Sequence, residues 1–279
     1  MGRSIHDESL RPDQEPTPAA ERSSRTPPTH DREQKDKSIY EHRGQRYRVN
    51  SNQATVLQDV GAFRTVTANS LCKHVYDNKD DRFRKDLRNL TEQRLLSIQP
   101  GSRTNGGYIS LTRAGKEITE ASLRSNRAQT IYSGIVKKRE LRHDGAIYDV
   151  YQKEARKIVK AGGTPKRIVL DFELKREVNR QLAKVQDAPA AERERQRREI
   201  AQAHGLTIVE GKIQIPDVRI EFETRNQQQS KVDLECVTGH YKARQIAAKK
   251  AAGFKLYNQD HRGRSAERGE DLVGEVMSL

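Results

Sequence analysis

A basic stripe marks one predicted helix of the chain. Its members recur at spacings that place them on a common outward face of a helix, and they are Arg82, Lys85 and Asn89, flanked by Arg84 and Arg88. Arg can make paired hydrogen bonds to guanine and Asn to adenine, while further Arg and Lys side chains bind phosphate. The stripe therefore predicts a helix that docks in the major groove of duplex DNA.

Two other helical patterns precede this one. Apolar residues recur at three- and four-residue spacing from Val56 to Phe63, and residues 67–76 repeat the pattern with Thr67 as the N-cap. The third helix begins at Asp80 and Asp81, whose negative charges complement its N-terminal dipole. Its apolar residues share the face opposite the basic stripe and pack inward.

After the third helix the apolar period changes to two. Residues 95–98 and 108–112 predict two strands, joined by a Gly-rich loop with Arg103 at its tip, where it could reach the adjacent minor groove or backbone. Three helices followed by a hairpin predict a winged helix-turn-helix. The stretch 111–116, Leu-Thr-Arg-Ala-Gly-Lys, resembles the junction of wing and helix in MarR-like proteins. The alternative is a winged helix that makes only protein contacts.

The charge balance favours a polyanionic partner. The chain holds 53 Lys+Arg against 39 Asp+Glu, a net charge of +14, and its composition is 33% hydrophobic with no Trp. Such a field attracts nucleic acid, and binding should weaken with salt as counterions are released. A membrane is the competing polyanion, but the sequence has neither an apolar run of about 18 residues nor a signal-peptide core, so we expect a cytoplasmic protein. Cys72 and Cys236 lack zinc-site spacing and are expected to be buried free thiols.

The second half mixes helices and strands in another order. The pattern predicts a helix over 145–160, a strand over 167–174 and charged helices broken near 187–190. It then predicts a strand over 212–224 that Pro216 interrupts, a strand over 231–237, a helix over 240–252 and a strand over 254–257. The turn into the last helix carries His240, Lys242 and Arg244 behind Gly239. Backbone N–H groups at such a helix start suit phosphate, so His240 and Arg244 are predicted phosphate-binding residues.

Two acidic residues lie in neighbouring predicted strands: Asp217, which follows Pro216, and Glu235. Together with the order helix, strand, strand, strand, helix, strand, they resemble the core of the PD-(D/E)xK nuclease superfamily. The resemblance implies that both carboxylates bind Mg²⁺, which orients water and neutralises charge on the phosphate being cut, while a Lys activates the nucleophile. Val237 stands where the superfamily has that Lys, and Lys242 is the nearest candidate in the following helix.

Three interpretations of these carboxylates stay open from the sequence. They form a catalytic metal site, they belong to a nuclease-like domain that no longer cuts, or they are surface carboxylates on a mixed sheet. Glu173 and Lys175 resemble the missing half of the motif, but no Pro-Asp pair precedes them, so they match less well.

The whole arrangement, over about residues 50 to 257, resembles the replication-relaxation family, which is linked to plasmid replication and DNA relaxation. The supporting motifs are Arg142-His143-Asp144, Ile215-Pro216-Asp217 and the Gly-Phe-Lys-Leu-Tyr ending at 253–257. It also resembles abortive-infection antitoxins, in which a winged helix represses its own operon and the second domain holds a partner protein. We expect a sequence-targeted double-stranded DNA-binding protein of a plasmid or mobile element, acting in replication, DNA relaxation or transcriptional control. The alternatives are a Mg²⁺-dependent DNA endonuclease and an antitoxin-type repressor.

The predicted fold is α+β with two domains between two tails. Residues 1–45 hold five of the nine prolines and few large apolar side chains, which predicts a disordered arm. Residues 46–126 form the predicted winged helix-turn-helix, residues 127–258 the PD-(D/E)xK-like domain, and residues 259–279 a flexible tail. A homodimer and a protein partner on the second domain stay open, and no membrane partner is expected.

Overall fold

A computed structural model describes residues 38–101, 106–123, 129–134, 141–239, 241–258 and 277–278. Helices and strands alternate through these residues in a mixed α+β fold, as the sequence predicts. All of them belong to one compact unit that spans Lys37–Leu279. Among the described helices, none is long and apolar enough to cross a membrane.

A β-hairpin precedes the first helix. Strands β1 (Ser38–His42) and β2 (Gln45–Val49) pair antiparallel, inside the stretch that the sequence assigned in part to the arm. Both turn residues, Arg43 and Gly44, have positive φ, the backbone that joins hairpin strands tightly. Strand β2 contributes two buried side chains, Tyr47 and Val49, to the core, so this segment gains enough buried apolar area to be ordered.

Three helices follow, at the positions that the apolar spacing predicts. Helix α1 (Ser51–Phe63) is capped by Asn50 and buries the apolar stripe that ends at Phe63. Helix α2 (Ala68–Val75) begins after Thr67, whose hydroxyl accepts the Ser70 N–H, as expected for an N-cap. Helix α3 (Asp80–Glu92) starts with its two aspartates and buries Phe83 and Leu90.

A three-stranded antiparallel sheet flanks the helices. Its order is β3 (Val66–Thr67), β5 (Tyr108–Leu111), β4 (Leu96–Gln99), and helix α4 (Arg113–Ser122) continues from β5. A Cβ on Gly115 would lie 2.1 Å from the Leu95 carbonyl oxygen, so only glycine lets α4 pack against that backbone. The predicted wing tip at Arg103 lies outside the described residues.

The second half is built on a mixed sheet with the strand order β12 (Met277–Ser278), β11 (Lys255–Asn258), β10 (Gln229–Val237), β9 (Val218–Glu223), β6 (Thr164–Leu170). Strand β9 is antiparallel to both of its neighbours, whereas β10, β11 and β12 run parallel. Helix α5 (Leu141–Lys160) packs on β6, β9 and β10, and a helix described below packs against β11. The sheet is thus covered by helices from different parts of the chain.

The strand predicted over 167–174 ends four residues earlier than predicted. Strand β6 stops at Leu170, and helix α6 (Asp171–Ala183) begins with Asp171. Two acidic residues in the first turn favour the helix start, and the Glu173 carboxylate accepts the Leu170 N–H at 3.4 Å. The strand ends where this cap forms, because the Glu173 carboxylate gives the backbone N–H a hydrogen-bond partner outside the sheet.

Helix α7 (Ala190–Ala203) returns against α6 after the predicted break. A small satellite core joins this helical pair to the short hairpin of β7 (Ile208–Val209) and β8 (Lys212–Ile213). The interruption predicted at Pro216 within 212–224 is confirmed, because β8 and β9 lie on either side of it. Pro216 separates them, because proline cannot donate a backbone hydrogen bond to a sheet.

Helix α5 joins the two halves. One hydrophobic core runs from residues of the first half, such as Val60 and Leu111, to Tyr148 and Leu234 of the second. Polar contacts lie beside that core, and we call them the α5 seam: Tyr148 with Asp59 at 2.6 Å, Arg64 with Asp144 at 2.7 Å, and His74 with Asp149 at 2.9 Å. The halves thus share packing and hydrogen bonds.

Candidate functional site

The basic face predicted for α3 is exposed. The helix buries Phe83, Asp86 and Leu90. The solvent-exposed basic side chains of the helix are Arg82, Arg84, Lys85 and Arg88. A helix with this division can turn its charged face toward a polyanion while its apolar face holds it on the core.

Asp86 fixes the rotation of α3, a role that the apolar and basic spacing of the helix does not predict. Its buried carboxylate accepts hydrogen bonds from Asn50 Nδ2 at 3.1 Å, Gln53 Nε2 at 3.2 Å and Tyr76 OH at 3.1 Å. These donors come from the N-cap of α1, from α1 itself and from the C-cap of α2. In the sequence, Asp86 stands out only as an acidic residue at an inward-facing position of α3. Its charge alone would place it at the surface.

Asn89, predicted on the outward stripe, turns partly inward. Its side-chain oxygen accepts from Gln53 Nε2 at 2.9 Å and from Gln93 Nε2 at 2.8 Å, and the residue is half-buried. It lies three residues after Asp86 and shares that side of the helix. We therefore leave Asn89 out of the candidate DNA-contacting face.

An ion pair reduces the net positive charge at the start of α3. The Arg84 guanidinium lies 3.6 Å from the Asp80 carboxylate, and both side chains are exposed. An exposed pair of this kind contributes little to stability and can be exchanged for a phosphate contact. Arg82, Lys85 and Arg88 contribute three further basic side chains to the face.

The two predicted carboxylates of the second half do come together. Asp217 precedes β9 and Glu235 lies on β10, and both side chains are buried. The Asp217 backbone N–H donates to Glu235 Oε2 at 3.2 Å, and the Cys236 N–H donates to Asp217 Oδ2 at 2.8 Å. Antiparallel pairing of β9 with β10 creates this meeting, since Val218 lies opposite Leu234.

Lys249, not the predicted Lys242, completes this cluster. Helix α8 (Ala243–Ala251) places Lys249 Nζ 2.8 Å from Glu235 Oε1, and the same amino group donates to the Ile215 carbonyl at 2.7 Å. Lys242 is the exposed N-cap of α8. The two lysines are seven residues apart, about two helical turns, so they share a helix side, but only the later one lies over the carboxylates.

The electrostatics of Glu235 are those of a deeply buried carboxylate. Burial, and then the nearby charge of Asp217, raise the pKa of Glu235 to about 7. Lys249 and the Tyr241 hydroxyl, 2.9 Å from Oε1, act in the opposite direction. A carboxyl group with this pKa exchanges protons near neutral pH, which is typical of a functional site.

Two further residues lie at the edge of the carboxylate pair. His143 Nε2 on α5 is 3.3 Å from Asp217 Oδ1, and this hydrogen bond raises the pKa of His143 against the lowering effect of burial. Burial lowers the pKa of Lys175, but its 2.5 Å contact with Asp171 and the charges of Asp217 and Glu235 raise it overall. From the sequence, His143 has a place only in the Arg142-His143-Asp144 motif.

The remaining predicted site residues do not join the cluster. Glu173 is buried in α6 and accepts from Thr130 and Arg167, so it is not the second half of a strand motif. Arg244 is exposed and paired with Glu210 at 2.7 Å. His240 lies outside the described residues.

Two oxygen donors suit Mg²⁺, and Asp217 with Glu235 supplies them. Across the described residues, however, no group of three or more His, Cys, Asp and Glu side chains is arranged to hold a metal ion. In the present arrangement Lys249 neutralises the charge of Glu235. The site can therefore either exchange this lysine contact for a cation or keep it as a buried ion pair.

Comparisons with protein-family models, with curated protein sequences and with solved structures found no match to this chain.

Proposed function

We propose that the chain is a double-stranded DNA-binding protein whose first half is a winged helix-turn-helix. The exposed row of Arg82, Lys85 and Arg88 on α3, fixed from behind by Asp86, is the observation that carries the proposal. An α-helix fits the major groove, where Arg can bind guanine and where both residue types can bind phosphate. The three-stranded sheet with a hairpin after α3, and the net charge of +14, support the same assignment.

The family resemblance supports a more specific role. We place the bound DNA on a plasmid or mobile element, where the protein would act in replication, relaxation or transcriptional control. This part of the proposal rests on the order of the two halves and on the short motifs given above.

A charge-matched pair of triple variants tests DNA binding. One carries Arg82→Ala, Lys85→Ala and Arg88→Ala, and the control carries Arg193→Ala, Arg195→Ala and Arg198→Ala on α7, where glutamates alternate with the arginines. Each triple removes the same formal charge. Affinity for a mixed-sequence duplex is measured by anisotropy between about 50 and 200 mM salt.

We expect the α3 triple to weaken binding by roughly 100-fold and to lower the salt slope by about 2 to 3, because each lost phosphate contact removes about 0.9 from the slope. The α7 triple should stay close to wild type. Equal losses in both triples would show that only net charge matters and would refute the α3 interface.

A second candidate function is metal-dependent DNA cleavage. The convergence of Asp217, Glu235 and Lys249 favours it, since the superfamily chemistry needs two carboxylates and a lysine in one place. Asp217 and Glu235 would hold Mg²⁺, which would activate water and neutralise charge on the phosphate. Lys249 would then stay within reach of the attacking water and the scissile phosphate.

Plasmid nicking with Mg²⁺ or Mn²⁺ tests the cleavage proposal. Wild type should nick supercoiled plasmid, whereas Asp217→Ala, Glu235→Ala and Lys249→Met should each lower the rate by a factor of about 100 or more. Lys242→Met is the matched control and should remain active. Nicking that persists in the Asp217 and Glu235 variants would remove these residues from the mechanism, and inactivity of wild type would leave the cluster as a buried ion pair.

A further inference from the structure

Two donors share one oxygen of the Glu235 carboxylate. Lys249 Nζ lies 2.8 Å from Oε1, and the Tyr241 hydroxyl donates to Oε1 at 2.9 Å, while Oε2 accepts the Asp217 N–H. A carboxylate oxygen has two acceptor positions, so both positions of Oε1 are used. Glu235 therefore cannot offer this oxygen to a metal ion while Lys249 and Tyr241 stay in place.

The Lys249 ammonium also supplies the positive charge that a cation would bring. Its partners are the Glu235 carboxylate and the Ile215 carbonyl oxygen at 2.7 Å, and both are oxygen ligands of the kind that Mg²⁺ uses. A divalent cation on the same carboxylate oxygen would lie beside the ammonium, and two positive charges so close repel each other. Lys249 and a cation bound to Glu235 Oε1 thus exclude each other.

The donors to the carboxylate pair differ in how firmly the fold holds them. Those from Asp217 and Cys236 are backbone N–H groups at the paired strands β9 and β10. Lys249 comes instead from α8, whose nine residues are all described, and none of them is buried. A movement of α8 can therefore remove Lys249 and leave the sheet that carries the two carboxylates unchanged.

Helix α8 is held on the molecule largely by polar contacts. Besides Lys249, Arg244 pairs with Glu210 at 2.7 Å, and both of these side chains are exposed. The apolar contact of the helix is small: half-buried Ile246 packs on a cluster of Val237, Phe254 and Leu256. An element with few buried apolar contacts opens locally at a lower cost in free energy than the central strands of a sheet.

We propose that α8 is an autoinhibitory strap, which holds Lys249 on Glu235 in the place of a cation. Asp217 and Glu235 bind a divalent cation together only when α8 moves off them. The inference rests on the cation-binding part of the second candidate function and adds its regulation. Cation binding and displacement of α8 are then linked, so each favours the other.

Binding of Mn²⁺ to the full chain, measured by calorimetry at pH 8, tests the strap. Lys249→Met should bind Mn²⁺ about 10-fold more tightly than wild type, because the competing charge is gone. Lys249→Gln keeps a donor without the charge, so it should also bind more tightly, and it serves if the Met variant does not fold. Lys242→Met removes an equal charge from an exposed position of the same segment and should stay within about twofold of wild type.

Hydrogen exchange reports the movement itself. Mn²⁺ should speed exchange over residues 243–251 of wild type and leave β9 and β10 protected, and Asp217→Ala should abolish this response. Equal Mn²⁺ affinity of wild type and the Lys249 variants, no Mn²⁺ binding by any of them, or unchanged protection of α8 when wild type binds would each overturn the strap. Tighter binding by the Lys249 variants without nicking by wild type would keep the strap and reject cleavage.

Discussion

Asp59 on α1 is a carboxylic acid held within the α5 seam. Its Oδ2 accepts the Tyr148 hydroxyl at 2.6 Å, and burial raises the pKa of Asp59 to about 6, although that hydrogen bond acts to lower it. The ordinary value in an unfolded chain is about 4. The folded state therefore favours the protonated acid, and this contribution to stability is present below about pH 4 and is lost as the pH rises through about 6.

The first prediction follows from the direction of this pKa shift. Asp59→Asn keeps an acceptor for Tyr148 but never ionises, so it should raise the free energy of unfolding by about 1–3 kcal/mol at pH 8 and have little effect near pH 4. Urea unfolding at both pH values measures the difference. Asp187→Asn, an exposed position, should change neither value by as much as 0.5 kcal/mol. A pH-independent effect of the Asp59 variant would contradict the argument.

At the scale of elements, the orientation of α3 depends on more than its apolar stripe. Phe83 and Leu90 decide which side of the helix faces the core. Asp86 adds directional hydrogen bonds from Asn50, Gln53 and Tyr76, which hold the helix at one rotation. Such a network is costly to break, because each donor left unpaired in the interior has lost its water.

The second prediction concerns this network. Asp86→Ala should lower the free energy of unfolding by about 2–4 kcal/mol, since it removes the carboxylate that accepts hydrogen bonds from three side chains. Asp81→Ala, an exposed acid at the start of the same helix, should cost less than 1 kcal/mol. The midpoint of urea unfolding reports both. DNA affinity of the Asp86 variant should also fall, although it removes a negative charge, whereas a purely electrostatic role would make binding tighter.

At the scale of the whole molecule, the two halves are not independent modules. Gly145 on α5 illustrates the close fit, because a Cβ there would lie 2.7 Å from Thr67 Cγ2 at the N-cap of α2. The continuous hydrophobic core and the α5 seam both belong to this contact between the two halves. Unfolding of either half exposes apolar surface of the other, so we expect cooperative behaviour across the join.

The third prediction uses Gly145→Val, which enlarges the side chain at the join. Hydrogen exchange should lose protection in β4 and β5 of the first half and in β9 and β10 of the second by similar amounts, with a total cost of about 2–3 kcal/mol. Mass spectrometry of the peptides resolves the two halves. Loss of protection confined to one half would show that they unfold separately.

The sequence by itself determined the helices of the first half and their inward faces. Period 3.6 in apolar residues, with a cap at Thr67, is a local signal that needs no knowledge of the rest of the chain. The pairing of Asp217 with Glu235 was also within reach, because strands next to each other in sequence usually pair. The end of β6 was not predicted, because the helix start at Asp171 and Glu173 lies inside a short run of residues that also fits the alternation of a strand.

Only the tertiary structure decided which lysine lies over the carboxylates and which way Asn89 turns. Both answers depend on how a helix is rotated and docked, and sequence spacing fixes the side of a helix without fixing its neighbour. Lys249 meets Glu235 because the second turn of α8, which packs against β11, brings its amino group to the Glu235 carboxylate. Likewise the contact of Arg156 with His74 joins residues 82 positions apart, and local periodicity does not contain it.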